Sequence, residues 1–177
     1  MTSYLDFFVR FGADGTILGL GHGTTPEDWI ATLGDKFEDA SRGEGHRELG
    51  FGFIEASFGL VPSGEWSCDY LKLAVWTLSG PGETVPESVR AQYGDFPPRV
   101  VFDDIATAAS QSGIAVHRGL SQVKPDHFFW FPSGGVAFTV LTATDIEDFP
   151  DHQVGDVYAV TALPDHKIDQ ATLRPYP

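Results

Sequence analysis

The chain of 177 residues contains a single cysteine, Cys68. An internal disulfide is therefore impossible, which fits a reducing compartment, and a zinc site built on a CxxC pair is excluded for the same reason. Cys68 stands in a segment with the composition of a strand. We expect a buried, unreactive thiol there rather than a nucleophile.

Basic residues are also scarce. Lys and Arg total 11 against 25 Asp and Glu, which gives a formal net charge of −14. A field of this sign repels phosphate backbones and anionic membrane surfaces, so we predict neither a nucleic-acid partner nor a membrane partner. It favours a basic protein partner, because opposite charges accelerate encounter. The alternative is that the charge serves only solubility.

Long apolar runs are missing from the sequence. No stretch approaches the roughly 18 consecutive apolar residues that indicate a membrane span. The first fifteen residues, MTSYLDFFVRFGADG, lack a basic leading region and are interrupted by Asp6 and Arg10, so they do not read as a signal peptide. We therefore expect a cytoplasmic protein.

Catalytic and metal-binding motifs are absent as well. There is no GxSxG and no HExxH or HxxxH spacing, so we predict no catalytic residue, no metal site and no cofactor. The histidines weighed against a metal site are His117, His127, His152 and His166. Two of them, His117 and His127, lie on neighbouring predicted strands and would meet in space, but ordinary strand histidines are the expected reading.

What the sequence has in quantity is glycine, proline and phenylalanine: twenty, twelve and fourteen residues. So many turn formers favour a β-rich chain. Residues 4–11 alternate, with apolar side chains at 5, 7, 9 and 11, and predict a half-buried strand. Residues 26–33 predict a short helix that begins after Thr25, carries Pro26 at its first position and ends at Gly34.

Two further strands are predicted at 51–58 and 68–79. The second is apolar on both faces, which indicates a central strand covered on both sides. The charges of Glu55 and Lys72 within these strands have to point outward or pair.

The second half predicts two helices and four strands. The helices fall at 86–93 and 102–112, and the strands at 114–118, 127–131, 136–142 and 157–162, with a hairpin turn at residues 133–135. The fold class is thus α+β, a mainly antiparallel sheet with two or three short helices in one domain spanning 1–177. We expect the polar tail, 163–177, to fray.

A family resemblance is carried by residues 17–78. Leu33-Gly34 closes the predicted helix, and Leu49-Gly50, Glu55 and Phe58 follow in the next strand region. This arrangement resembles actinobacterial immunity-type proteins of polymorphic toxin systems. The resemblance implies a cytoplasmic protein that binds and blocks a cognate toxin and performs no catalysis.

The most acidic stretch is DIEDFPDHQVGD, residues 145–156, with five carboxylates and one histidine in twelve residues. It does not fit an EF-hand, because positions 5 and 6 are Phe149 and Pro150 instead of an oxygen ligand and a glycine. It lies between two predicted strands, so a solvated loop explains its charges. A phenylalanine among carboxylates instead suits a surface that meets a basic partner.

We predict that this stretch binds the partner. The candidate residues are Asp145, Glu147, Asp148, Phe149, Asp151 and Asp156, with Glu65, Trp66 and Asp69 as a second candidate surface. The leading hypothesis is an acidic, immunity-like protein that neutralises a basic toxin domain by occluding its surface or active site. The alternatives are a small carboxylate-dependent hydrolase and a general protein-interaction domain.

Overall fold

Nine strands form one antiparallel sheet in this computed structural model, which describes residues 2–82, 84–119, 128–162 and 173–176. The strands are β1 (Glu38–Asp39), β2 (His46–Phe51), β3 (Ile54–Leu60), β4 (Trp66–Leu73), β5 (His117–Gly119), β6 (Phe128–Phe131), β7 (Val136–Val140), β8 (Val157–Ala162) and β9 (Leu173–Pro175).

The order of the strands across the sheet is β1-β2-β3-β4-β8-β7-β6-β5-β9. β1 to β4 follow one another in space. The chain then crosses to the far side and returns through β5, β6 and β7, so that β8 pairs with β4. This return joins the two halves of the chain in one sheet and places the β7–β8 connection beside the end of β4.

Four α-helices and one 3₁₀ helix accompany the sheet in the described residues. They are α1 (Tyr4–Asp14), α2 (Pro26–Leu33), the 3₁₀ helix η1 (Val75–Ser79), α3 (Glu87–Tyr93) and α4 (Phe102–Gln111). The predicted fold class, α+β with a mainly antiparallel sheet, is confirmed, although the helices outnumber the two or three expected.

The α-helices pack on one face of the sheet. Alternate residues of β3 and β4 are buried, including Phe58 and Leu71, and these join the apolar side chains of the helices in one core. At the other end of the sheet, the rings of Phe102 in α4 and Phe129 in β6 stack at 3.9 Å. The core is therefore a layer between helices and sheet.

The strand predicted at residues 4–11 is wrong, because these residues form α1. Phe7 and Phe11 fit a helical period as well as an alternating one, whereas Phe8 shares their face only in a helix, and all three are buried. The helix is decided by its start: Ser3 and Asp6 form a capping box, in which each side chain accepts from the other residue's backbone N–H.

The helix predicted at 26–33 is confirmed as α2. Thr25 and Asp28 form the capping box at its start, and Pro26 occupies the first turn as expected. Gly34 ends the helix with a positive φ of 102°, although its ψ of 175° differs from the left-handed cap that the sequence predicts.

The strand predicted at 51–58 combines two strands and the turn between them. Phe51 ends β2, Gly52 and Phe53 make the turn, and Ile54 begins β3. Gly52 has a φ of +65°, and a Cβ there would lie 2.0 Å from the carbonyl oxygen of Thr84. Only glycine fits this turn, which explains the break in the predicted strand.

The strand predicted at 68–79 ends early, at Leu73, and η1 follows. The hydroxyls of Thr77 and Ser79 donate to the carbonyls of Ala74 and Trp76, at 2.8 and 2.9 Å, so these carbonyls are satisfied locally and not by a neighbouring strand. β4 is central, as predicted, but its second face is only half-buried, so the expected cover on both sides is wrong.

The outward face of β4 carries the predicted charge pair. Lys72 Nζ donates to Glu55 Oε2 at 2.8 Å across β3 and β4, which confirms that these two charges pair.

The second half of the chain follows the predicted order. α3, α4, β6 and β8 lie close to their expected ranges, whereas β5 begins three residues later than predicted and β7 ends two residues earlier. Residues 132–135 form the hairpin turn between β6 and β7. Within the tail, β9 pairs with β5 and the hydroxyl of Tyr176 donates to Asp103 at 3.0 Å, and fraying of the rest of the tail stays a prediction. Residues 163–172 lie outside the described residues.

Close approach between α1 and the β6–β7 hairpin depends on Gly12. A Cβ at this position would lie 2.5 Å from Cδ1 of Phe131, a distance that packed carbon atoms do not tolerate. Phe131 is fully buried, so its ring cannot swing into solvent.

We predict that Gly12→Ala lowers the free energy of unfolding by about 1–3 kcal/mol, because the added methyl overpacks the core. Urea denaturation measures the change. Adding Phe131→Leu to Gly12→Ala should cost less than the sum of the two single changes, since the smaller side chain gives room to the methyl. Strictly additive costs would contradict the proposed contact.

Candidate functional site

The acidic stretch forms most of a compact loop between β7 and β8. Backbone hydrogen bonds close its base, from Leu141 N–H to Asp156 O and from Gly155 N–H to Leu141 O, each at 2.9 Å. Successive turns fill the interval, with backbone bonds from Asp148 to Asp145 and from His152 to Phe149. A loop whose ends meet in this way is held as a unit.

Asp145 holds the beginning of the loop. Its Oδ2 accepts from the backbone N–H of Thr142 at 2.9 Å and from the Thr142 hydroxyl at 3.1 Å. The residue is 5% exposed. Its carboxylate therefore serves the turn that starts the loop.

Asp156 holds the end of the loop. Its two carboxylate oxygens accept from Nε and Nη2 of Arg99, each at 2.8 Å, and Oδ2 also accepts from the backbone N–H of Gln153 at 2.9 Å. The residue is 1% exposed. Burial alone would raise the pKa of Asp156, but the hydrogen bonds from Arg99 and Gln153 and the positive charges nearby bring it below its ordinary value.

The prediction that Asp145 and Asp156 bind a partner is therefore corrected. Both carboxylates lie inside the protein and already accept hydrogen bonds from it. Neither can present negative charge to another molecule. Their role is to fix the shape of the loop.

The other acids of the loop are exposed, as a binding surface requires: Glu147, Asp148 and Asp151. Phe149 is half-buried, and its ring lies 4.9 Å from that of Tyr158. The register of β7 and β8 shifts beside Tyr158, since Thr139 faces Ala159 while Val140 faces Val157. Tyr158 is the additional residue of this bulge.

Trp76 is an exposed aromatic residue beside the loop, and it is not among the site residues predicted from the sequence. Its side chain is 41% exposed, and its ring stacks on Tyr158 at 6.2 Å with an interplanar angle of 18°. Trp76, Tyr158 and Phe149 thus form one continuous aromatic cluster. A tryptophan is a common anchor of binding surfaces, but the strand predicted at 68–79 was expected to be covered on both faces, so Trp76 was expected to be buried.

A cavity of about 540 Å³ separates η1 from the loop. Its lining residues are Trp76, Thr77, Ser79, Gly80, Pro81, Thr84, Asp148, Phe149, Pro150, Asp151 and His152. The cavity therefore combines an aromatic wall with two exposed carboxylates. It contains no lysine or arginine among the described residues that line it.

His152 is the buried member of this lining, with a side chain 9% exposed. Within the part of the chain that the structure describes, its Nδ1 has no hydrogen-bond partner, and Oδ2 of Asp156 lies 3.6 Å away. This distance is too long for a hydrogen bond but keeps the two groups in electrostatic contact.

The proximity of His117 to His127, which was weighed as a possible metal site and set aside, cannot be followed in the structure. His117 faces Trp130 across β5 and β6, whereas His127 and His166 lie outside the described residues. Among the residues that are described, no three His, Cys, Asp or Glu side chains gather closely enough to hold a metal ion.

The second candidate surface lies at the opposite end of β4. Trp66 begins the strand and Trp76 follows its end, so the two tryptophans are separated by roughly 23 Å of strand. Glu65 and Asp69 are exposed there. Trp66, however, is half-buried and already covered, because the guanidinium carbon of Arg47 lies 5.7 Å from its ring centroid.

Cys68 is buried, as the sequence predicts. Burial raises the pKa of its thiol to about 12, and its Sγ donates to the carbonyl of Tyr70 at 3.5 Å. A thiol in this state is protonated at neutral pH and is a poor nucleophile.

Comparisons with protein-family models, with curated proteins and with solved structures found no match for this chain. The resemblance of residues 17–78 to immunity-type proteins therefore stays a prediction. None of the helices in the described residues has both the length and the apolar character needed to cross a membrane.

We predict that Asp156→Asn lowers the free energy of unfolding at pH 6 by about 1.5–3 kcal/mol, because a hydrogen-bonded charge is lost. The folded pKa of Asp156 lies below its ordinary value of 3.8. The stability contributed by the ionised Asp156 carboxylate is therefore present above pH 3.8 and is lost as the pH falls through the folded pKa.

Urea denaturation of wild type and Asp156→Asn at several pH values from 6 downward measures this difference, which should shrink below pH 3.8. Asp151→Asn, at an exposed position of the same loop, is the control and should change stability little. An Asp156→Asn deficit that is independent of pH would contradict the role assigned to the charge.

We predict that Cys68 resists thiol reagents in the folded protein. At pH 8, a pKa of about 12 reduces the thiolate fraction about a thousandfold relative to an ordinary cysteine. The rate of labelling by a coloured disulfide reagent measures this, with the urea-unfolded chain as control. Equal rates in the folded and unfolded states would contradict a buried thiol.

Proposed function

We propose that this protein is an acidic binding module that neutralises a basic partner protein by covering its surface, in the manner of an immunity protein and its toxin. A cytoplasmic location belongs to the same proposal, since a protective protein of this kind acts inside the cell that makes it. The proposed binding face consists of Trp76, Phe149, Glu147, Asp148 and Asp151, and we refer to it as the loop face.

The observation that carries the proposal is the exposure of Trp76 beside carboxylates. An aromatic side chain that is 41% exposed and supported from behind by Tyr158 offers apolar area in a fixed orientation. Anchors of binding interfaces are enriched in such aromatic residues. Asp148 and Asp151 supply negative charge at the edge of the same cavity.

The overall charge supports a basic partner. A net charge of −14 produces a long-range negative field, which steers a positively charged protein toward the surface before any contact forms. The loop face adds short-range selection, because its exposed acids lie around an apolar centre. Charge and shape therefore favour the same class of partner.

The loop itself is suited to recognition because it is held in place before binding. Its base is closed by backbone hydrogen bonds, and the buried carboxylates of Asp145 and Asp156 secure its two ends. A preorganised surface loses little conformational entropy when a partner binds.

The hydrolase alternative finds less support in the same cavity. The hydroxyls of Thr77 and Ser79 donate to backbone carbonyls and not to His152, so neither is activated as a nucleophile. A general interaction domain would differ from the immunity reading only in its partner.

The test is co-expression with the products of neighbouring genes. We predict that one neighbour encodes a toxic, basic domain, that this protein restores growth of cells expressing it, and that the two co-purify.

We predict that Asp148→Lys combined with Asp151→Lys leaves the free energy of unfolding within about 1 kcal/mol of wild type, because both side chains are solvated. The same change should weaken the complex by about tenfold or more, because the new lysines would lie against the positive charges of the partner.

The matched control is Glu65→Lys combined with Asp69→Lys, which changes the net charge equally at the other end of β4. Both double variants should slow association to a similar degree at low salt, since steering depends on total charge. Only the loop-face variant should accelerate dissociation. Faster dissociation of the control variant alone would move the interface to Glu65, Trp66 and Asp69, and a neighbour product that is neither toxic nor bound would contradict the immunity proposal.

A further inference from the structure

The cavity beside Trp76 has a composition suited to a cation. One wall is aromatic, formed by Trp76 and Phe149, which contact Tyr158 at 6.2 and 4.9 Å. Asp148 and Asp151 line the same space. The face of an aromatic ring attracts positive charge, and carboxylates accept hydrogen bonds from it, so both components favour the same ligand.

The cavity also lacks what an anion would need. No lysine or arginine is among the described residues that line it, and its carboxylates repel a negative group. The cavity volume of about 540 Å³ admits a long side chain.

The same chain contains a filled version of this arrangement elsewhere. The guanidinium of Arg47 lies over the ring of Trp66 at 5.7 Å and contacts Oε1 of Glu27 at 3.6 Å. Tryptophan, guanidinium and carboxylate are thus assembled there within one molecule. At Trp76 the tryptophan and the carboxylates are present, and the described lining supplies no guanidinium.

Arginine matches this space better than lysine does. Its guanidinium is planar and weakly hydrated, so it stacks on an indole ring, and its N–H groups form a fork that two carboxylates can accept. The lysine ammonium is a compact and strongly hydrated charge that gains less from a flat aromatic wall.

We propose that the cavity receives the guanidinium group of an arginine side chain of the partner, with Trp76 as the stacking surface and Asp148 and Asp151 as acceptors. The proposal rests on the proposed function in that the basic partner supplies the arginine. It adds the identity of the recognised group and its place on the loop face.

The test uses N-acetyl-arginine methylamide as a probe, with the citrulline analogue as a neutral control of nearly the same shape. Titration is followed by ¹H–¹⁵N NMR of the tryptophan indole signals, with Trp76 assigned from the spectrum of Trp76→Phe. The arginine probe should shift the Trp76 signal in a saturable manner. The lysine analogue should bind about threefold or more weakly, and citrulline should give no shift.

Variants then separate the two contributions. Trp76→Ala, and Asp148→Asn combined with Asp151→Asn, should each weaken arginine binding by about tenfold, and Glu65→Gln is the control that should not change it. For Trp76→Ala, binding is followed through the backbone N–H signals of Asp148, Phe149, Asp151 and His152. Because Trp76, Asp148 and Asp151 are exposed, thermal unfolding should confirm that these variants remain folded.

Other outcomes would overturn the inference. Equal shifts with citrulline and arginine would mean that the cavity does not select charge. A response confined to the Trp66 signal would place the site at the other end of β4. No response at the solubility limit of the arginine probe would remove the cavity as an arginine site.

Failure of the arginine site can be distinguished from failure of the proposed binding function. If the probe fails to bind while Asp148→Lys with Asp151→Lys still weakens the complex, the loop face remains the interface and the arginine inference falls. If the probe binds but that charge reversal does not change the affinity of the complex, the cavity binds arginine. Its proposed contact with this partner is then wrong.

Discussion

The ion pair between Arg99 and Asp156 is the interaction on which the loop face depends. A buried carboxylate without a cation is strongly destabilising, so the loop adopts its position only when Arg99 is in place. The pair joins residues 57 apart in the chain. Backbone bonds from Val157 to Val100 and from Phe102 to Gly155 tie the same two segments together. Loop geometry is therefore coupled to the docking of the segment that begins α4.

The acids of the stretch 145–156 divide into two kinds that composition alone does not distinguish. Asp145 and Asp156 are internal hydrogen-bond acceptors, whereas Asp148 and Asp151 face solvent. The sequence locates the loop because apolar strands flank it. It does not predict that Asp156 is buried, because the burial of this carboxylate depends on Arg99, which is distant in the chain and gives no local signal.

Elements with their own start and stop signals were predictable from the sequence. α2 is bounded by Thr25 and Pro26 on one side and Gly34 on the other, and these signals are local. The strand error at residues 4–11 arose because Phe7 and Phe11 fit both periodicities, and the capping box of Ser3 and Asp6 was the deciding signal.

The position of Trp76 was not predictable in the same way. Its exposure follows from the end of β4 at Leu73 and from the bulge that displaces Tyr158 toward it. Both depend on strand pairing between distant segments. Local alternation through residue 79 favoured a longer strand, which would have hidden the ring.

The closed base of the β7–β8 loop has an evolutionary consequence. Because Leu141 bonds directly to Gly155 and Asp156, the residues between them form an excursion whose two ends are adjacent. Substitutions, insertions and deletions there leave the register of the sheet unchanged, provided that the two internal carboxylates are retained. Divergence can therefore be concentrated in a short exchangeable segment, while the scaffold that carries it is inherited intact.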